Sequence, residues 1–450
     1  MNTLLESIVI LAVVLAVARF IKRGSTVLQK FFIPSALVAG ILGLILGPQV
    51  LGTIPQEVTD RWADWPQYLI TVVFAGLFLG KVIPKGKEIW SMSGPMIAFG
   101  NTLAWGQYVL GILVTLLILT PLFGTNPLAG ALIEISFEGG HGTAAGLAPT
   151  FAELGWAEGT DVALGLATVS ILSAIILGIF FVNWHSRRGG GHYVDPELQE
   201  KQRQQMIRSG YNIIALGRKI QAKPKAIFIN LIAFMAAITL GWLLLAGLVI
   251  LEDLLLEPIT HMRFFTHLPL FPLAMIGGLI VQMTLRKFGK QTLIQRRTAA
   301  IISTLSLDIL IATAIATVSL SAIGNNLPVF ITFLVLGIAW IVFGFWVLAP
   351  RMFSSYWFEK GLTNIGQSMG MTATGLLLGR LADPANQSKA RETFAYKQLA
   401  FEPFMGGGIV TASSVIFLYE FGPVPVLCVV SIITLFWLWL GLWLGRKGRG

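Results

Sequence analysis

The chain has 450 residues, 55% of them hydrophobic and only 12% charged, against about 45–50% and about 25% in soluble domains; a soluble multidomain protein is excluded and an all-α integral membrane protein is indicated. Its formal net charge of +10 reads, in so apolar a chain, as basic cytoplasmic loops and not as nucleic-acid binding. A single cysteine, Cys428, excludes an internal disulfide, and no Cys/His grouping has zinc-site spacing.

Runs of about 20 apolar residues predict spans near 4–20, 31–48, 67–84, 96–120, 163–184, 226–250, 264–285, 298–321, 327–349, 399–419 and 423–444, eleven in all. The first has no basic residue before it, whereas Arg19, Lys22 and Arg23 follow. That is the reverse of a signal peptide, so the run is expected to stay as a span with its N-terminus outside. Two further stretches, 126–155 and 353–382, are apolar but interrupted near their middles by Gly, Thr, Glu and Ser.

Charge decides how these two are read. If each enters and leaves on one face as a re-entrant hairpin, 30 of the 32 Lys and Arg fall on the cytoplasmic side, in segments 19–30, 81–87, 187–225, 286–297, 351–397 and 446–449. A full crossing at 126–155 would move nine basic residues, Arg187 to Lys225, outside, against the positive-inside bias. The hairpin reading dips the first segment in from outside and the second from the cytoplasm.

The result is an inverted-topology repeat, a common plan of secondary transporters. Five spans and a hairpin over 1–184 are matched by five spans and a hairpin over 226–420, joined by a cytoplasmic linker, 185–225. Within the linker, 197–220 reads as an amphipathic surface helix or as solvated chain. Residues 421–450 form an extra span with a basic tail that returns the C-terminus to the cytoplasm.

The first hairpin carries Glu138-Gly139-Gly140-His141-Gly142-Thr143 and the second Ser368-Met369-Gly370-Met371-Thr372-Ala373-Thr374. Non-helical backbone at membrane depth survives only where protein or a wet cavity satisfies it, and Glu138 and His141 at that depth are costly as mere packing. Thr143 is expected to cap one outgoing half-helix and Thr372 to precede another over 375–378. Two half-helix N-termini meeting near the midplane suit an anion. The incoming limbs, expected to end at Gly139 and about Ile365, would offer free carbonyls to a cation such as sodium.

Asp308, in mid-span, is either an ion-coupling carboxylate or a partner for a buried donor. Asn101, Asn230 and Gln282 read as helix-packing hydrogen bonds, and Glu402 as interfacial or as a gate. Gly366-Gln367-Ser368-Met369-Gly370 matches the G-x-S-x-G elbow of hydrolases, which needs a strand-to-helix turn. An intramembrane serine hydrolase with Ser368 and His141 is therefore one alternative to a carrier, and an ion channel with paired re-entrant loops is the other.

Gly139-Gly140-His141-Gly142-Thr143 resembles the signature loop of the bacterial sodium:glutamate symporters, and Gly370-Met371-Thr372-Ala373-Thr374 resembles that family's second loop, with Ala373 at its usual proline. The resemblance is read over about residues 1–420. It implies no enzyme but an elevator-type homodimeric carrier of the bacterial inner membrane that takes up glutamate, or a related dicarboxylate, with co-transported sodium. It places substrate at Gly140, His141, Gly142, Thr143, Ser368, Gly370, Thr372 and Thr374, and sodium near Glu138, Gly139, Ile365 and Asp308.

Overall fold

The computed structural model describes residues 3–188 and 224–449; the amphipathic helix considered at 197–220 lies outside them. In chain order the first half contains α1 (Thr3–Gly24), α2 (Ser35–Leu46), α3 (Gln56–Ala75), α4 (Gly86–Phe123), the short α5 (Leu132–Phe137) and α6 (Gly140–Gly146), and α7 (Glu158–Arg187). After the linker come α8 (Pro224–Thr260), α9 (Leu270–Lys287), α10 (Arg296–Ala316), α11 (Leu327–Met352), α12 (Trp357–Ser368) and α13 (Thr372–Ala382). The chain ends in α14 (Ala390–Phe401), α15 (Ile409–Phe421) and α16 (Pro423–Lys447).

No strand occurs among the described residues. Eight of these helices, α1, α4, α7, α8, α9, α10, α11 and α16, are long and apolar enough to cross a membrane. The protein is a multi-pass α-helical membrane protein.

Three expected spans differ. The run at 31–48 yields only the 12 residues of α2, bounded by Pro34 and Gly47, roughly 18 Å of helix. The run at 67–84 is out of register: α3 starts at Gln56 and stops at Ala75. Phe78 and Leu79, apolar enough to extend a hydropathy run, are instead buried in non-helical chain, and Leu79 packs with Phe234, Ala274 and Ala299. Gly76, where the helix ends, has no room for a side chain: a Cβ there would fall 2.2 Å from Ser303 Oγ and 2.6 Å from Phe234. The third run, 399–419, is two helices, α14 and α15, separated by a turn over 402–408.

Three long helices widen into a π turn just before a proline: Thr115–Leu119 before Pro121 in α4, Glu252–Leu256 before Pro258 in α8, and Gly344–Leu348 before Pro350 in α11. Proline lacks an N–H and its ring presses on the carbonyl four residues back; the wider turn relieves that contact without ending the helix.

α4 runs through the core, with Met96, Ala98, Phe99, Leu103, Ala104, Tyr108 and Ile112 all buried. α8 and α9 close on each other through glycine, since a Cβ at Gly277 would lie 2.1 Å from Ala237 O and one at Gly241 2.5 Å from Ala274 N, the small-residue packing of membrane helices. The extra span α16 uses Gly441 and Gly445 in the same way, against Met352 and Arg351 at the end of α11.

Candidate functional site

The two interrupted segments are paired helical limbs. In the first, α5 ends at Phe137, and Gly140, with φ +68°, opens α6. In the second, α12 ends at Ser368 and α13 starts at Thr372, so three residues make the turn. The limbs of the second close tightly: a Cβ on Gly366 would lie 2.7 Å from Gly375 Cα. The tips meet, because a Cβ on Gly140 would stand 3.3 Å from Gly370 O.

Local chemistry departs from the expected caps. Thr143 lies inside α6 and its Oγ1 donates to Gly139 O at 3.0 Å, because the helix starts at Gly140, four residues earlier than a Thr143 cap would start it. α13 likewise begins at Thr372 and not at Gly375. α12 continues three residues past Ile365, whose carbonyl accepts Met369 N–H at 3.1 Å. Ile365 O is thus a hydrogen-bonded helix carbonyl and not a free limb end.

His141 is buried and its Nε2 lies 2.9 Å from Thr168 Oγ1 on α7. Thr168 spends its own proton on Leu164 O, so the imidazole donates through Nε2 and keeps Nδ1 as an acceptor. Ser368 is fully buried and its Oγ has no hydrogen-bond partner; a serine–histidine pair is not formed, and the serine closes a helix where the hydrolase elbow needs a strand.

Between the hairpins runs a chain of polar groups that the sequence reading did not assign. Lys397 of α14 is fully buried. Its Nζ donates to Gln367 Oε1 at 2.9 Å and Gln398 Oε1 at 2.8 Å, and stands 3.5 Å from the centre of the Phe401 ring. Gln367 Nε2 in turn donates to Glu138 Oε2. One amide thus joins a buried cation on α14 to a buried carboxylate on the first hairpin. Lys397 had counted as a cytoplasmic loop charge; the available signal was Phe394 and Phe401 three residues before and four after it, on the same helix face.

Glu134 joins the first hairpin to two other elements. Its Oε2 accepts from Tyr108 Oη at 2.6 Å, and its Oε1 from Thr411 Oγ1 at 2.8 Å and Gly406 N at 3.2 Å. At the start of α13, Thr372 Oγ1 donates to Glu402 Oε1 at 2.8 Å and accepts from Gln398 Nε2 at 2.7 Å. Gly406 and Gly407, with φ of +66° and +98°, let the 402–408 turn lie directly on hairpin one. A Cβ on Gly407 would fall 2.4 Å from Thr143 Oγ1.

Nine buried side-chain atoms lack a hydrogen-bond partner among the described residues, and five belong to the hairpins and the α4 face beside them: Gln107 Oε1, Ser136 Oγ, Glu138 Oε1, Asn364 Oδ1 and Ser368 Oγ. All five are oxygens, the donor type that hard cations prefer. No group of three or more His, Cys, Asp or Glu with metal-site geometry occurs among the described residues. Asp308 Oδ2 is another of the nine, and the charges acting on Asp308 are Arg19 and Lys22 of α1. Asn101 and Asn230 bond their own helices, at Ile97 O and Ala226 O, whereas Gln282 does bridge elements.

Two glycine- and threonine-bearing tips in contact thus each carry one of the two motifs. The sequence profile of the sodium/glutamate symporters matches residues 1–376. The chain belongs to that family. A sodium/glutamate symporter of Haemophilus influenzae (strain ATCC 51907 / DSM 11121 / KW20 / Rd) is 26% identical over 181 residues, 38% of this chain and 42% of the relative; the aligned part is less than half the relative's length. The family match stops at residue 376, within α13 and short of the expected 420. Lys397, Gln398, Glu402 and the 402–408 turn therefore contribute to the symporter fold from beyond the matched residues.

Proposed function

We propose that the protein is a sodium-coupled carrier of a small anionic amino acid, glutamate or a close relative, with substrate held where the hairpin tips meet. The observation that carries this is the contact of Gly140 with Gly370 O, with orphaned buried oxygens on the limbs and on α4. Backbone N–H groups at Gly140, His141 and Gly142 and at the start of α13 suit a carboxylate. Gly142, Thr143, Ser368, Gly370, Thr372 and Thr374 supply close approach and hydroxyls. In this reading the unpartnered oxygens of Glu138 and Asp308 are open to sodium, whereas the Gly139 carbonyl already accepts from Thr143 Oγ1.

Glu402 accounts for the cation dependence. Its carboxylate already occupies the start of α13 by accepting from Thr372, so an incoming carboxylate meets a like charge unless a cation lies between them. The proposal keeps the inverted repeat, and the π turns before Pro121 and Pro350, each in the helix ahead of a hairpin, support it. It also keeps the elevator motion, the homodimer, the bacterial inner membrane, an outside N-terminus and a cytoplasmic C-terminus.

Purified protein in liposomes tests this. An inward sodium gradient is expected to drive labelled glutamate uptake where a proton gradient or membrane potential alone does not, and unlabelled substrate inside is expected to accelerate exchange. Uptake indifferent to sodium, or conductance without counterflow, would overturn it.

A further inference from the structure

A second cleft opens at the cationic end of α9. The non-helical chain between α3 and α4 passes under the last turn of α9 and leaves a cleft of about 440 Å³. Lys81, Lys85, Arg286 and Lys287 line it, with Gln282 and Met283 between them, and its lining includes no carboxylate. Glu402 is the acid that acts on Lys81.

The cleft is built, not left over. Gln282, buried at 4% exposure, accepts Gly80 N–H at 2.8 Å through Oε1 and donates to Lys81 O at 3.0 Å through Nε2. Arg286 Nη1 donates to Ile83 O at 2.6 Å, and Arg296 Nη1 to Leu79 O at 3.2 Å. Gly80, with φ +71°, lets the chain pass Arg296, whose Cα would be 2.8 Å from a Cβ there. Four cations thus surround a mouth whose backbone is fixed at Gly80, Lys81 and Ile83, at the end of a membrane-spanning helix.

The surroundings say what kind of anion fits. Val82 is 77% and Met283 57% exposed, apolar side chains beside a cationic cleft at the end of a span. A soluble anion would leave that rim unused. We propose that the cleft binds the phosphate headgroup of an anionic phospholipid, with the acyl chains lying along Val82 and Met283. Basic pockets between membrane helices on the cytoplasmic side have this chemistry, and both cleft-forming segments fall on the side that the basic-residue bias assigns to the cytoplasm. The inference does not depend on what the protein carries.

The test uses the full chain, purified and analysed by native mass spectrometry with phosphatidylglycerol or phosphatidylcholine. Arg286 also holds the loop, so the cleft variant is Lys85→Gln with Lys287→Gln, both exposed; Arg446→Gln with Lys447→Gln on the tail is the control. Phosphatidylglycerol is expected to be retained over phosphatidylcholine, with affinity falling about tenfold in the cleft variant and less than about twofold in the control. Equal losses in both variants would mean diffuse attraction and overturn the site, as would no loss in either. Inorganic phosphate alone is expected not to displace the lipid or raise Tm; if it does both at millimolar concentration, the ligand is a free anion and the lipid assignment fails.

Discussion

The helix that follows the first hairpin and the helix that follows the second are built differently. α7 runs unbroken for 30 residues and reaches its hairpin through a neutral contact, Thr168 with His141. The segment after hairpin two breaks at 402–408 and reaches the hairpins through Lys397, Gln398, Glu402 and Gly406. The continuous helix adds apolar packing, Ile171 on Gly370 and Gly178 on Leu378, to its uncharged polar contact; the broken segment brings charges and a backbone donor. Two halves arranged alike would therefore divide the labour, one supporting the site and the other tuning its electrostatics.

The largest effect is expected from removing the charge on the broken side. Lys397→Met leaves Gln367 Oε1 and Gln398 Oε1 without their donor and Glu138 without its opposite charge, a loss of about 3–5 kcal/mol that a Tm measurement in detergent will register. A Tm within a degree of wild type would mean that the lysine is not buried as described. Next come the tips: Gly140→Val and Gly370→Val should each abolish uptake while leaving inserted, monodisperse protein, since the first needs positive φ and the second has Gly366 O within 2.9 Å of a Cβ. Retained uptake in the double variant would put the substrate elsewhere.

Glu402→Gln keeps the shape but removes the charge from the start of α13. Substrate affinity at low sodium should rise about tenfold, equivalent to ~1.4 kcal/mol, and the sodium dependence should flatten; a sodium curve identical to wild type would exclude the repulsion. The smallest effect belongs to the continuous side. Thr168→Val removes the acceptor of His141 Nε2–H and should cost about 1 kcal/mol of stability, with uptake reduced and its sodium dependence unchanged. A sodium shift there would erase the contrast between the two helices.

How much of this the sequence disclosed follows from which forces act locally. The hairpins were legible because glycines, a threonine and a carboxylate inside apolar runs conflict with a plain span. The tip residues 139–143 and 370–374 were found for the same reason. The register of α3 was not, since Phe78 and Leu79 raise hydropathy whether helical or not, and the neighbours that crowd Gly76, Ser303 and Phe234, lie more than 150 residues away. Lys397 was missed because its partners are supplied by hairpin two and by its own neighbour, so in the linear chain it counted as one more basic residue on the cytoplasmic side. Asp308 was marked by its depth in a span; its Oδ2 is buried without a hydrogen-bond partner, and the charges acting on it, Arg19 and Lys22 at the end of α1, could not be placed beside it from the linear chain.

The Gly406–Gly407 turn has a mechanical consequence. It lies on hairpin one at Thr143 and Glu134, while α14, directly before it, grips hairpin two at Gln367 and Thr372. Sliding hairpin one past the other two would take Glu134 from Gly406 and Glu138 from Gln367, and sliding hairpin two past α14 would take Gln367 from Lys397. Under the proposed elevator motion they would travel as one body. Spin labels on the outer faces of α6 and α15 should keep one separation whichever side the site opens to, while labels pairing either helix with α8 should report two.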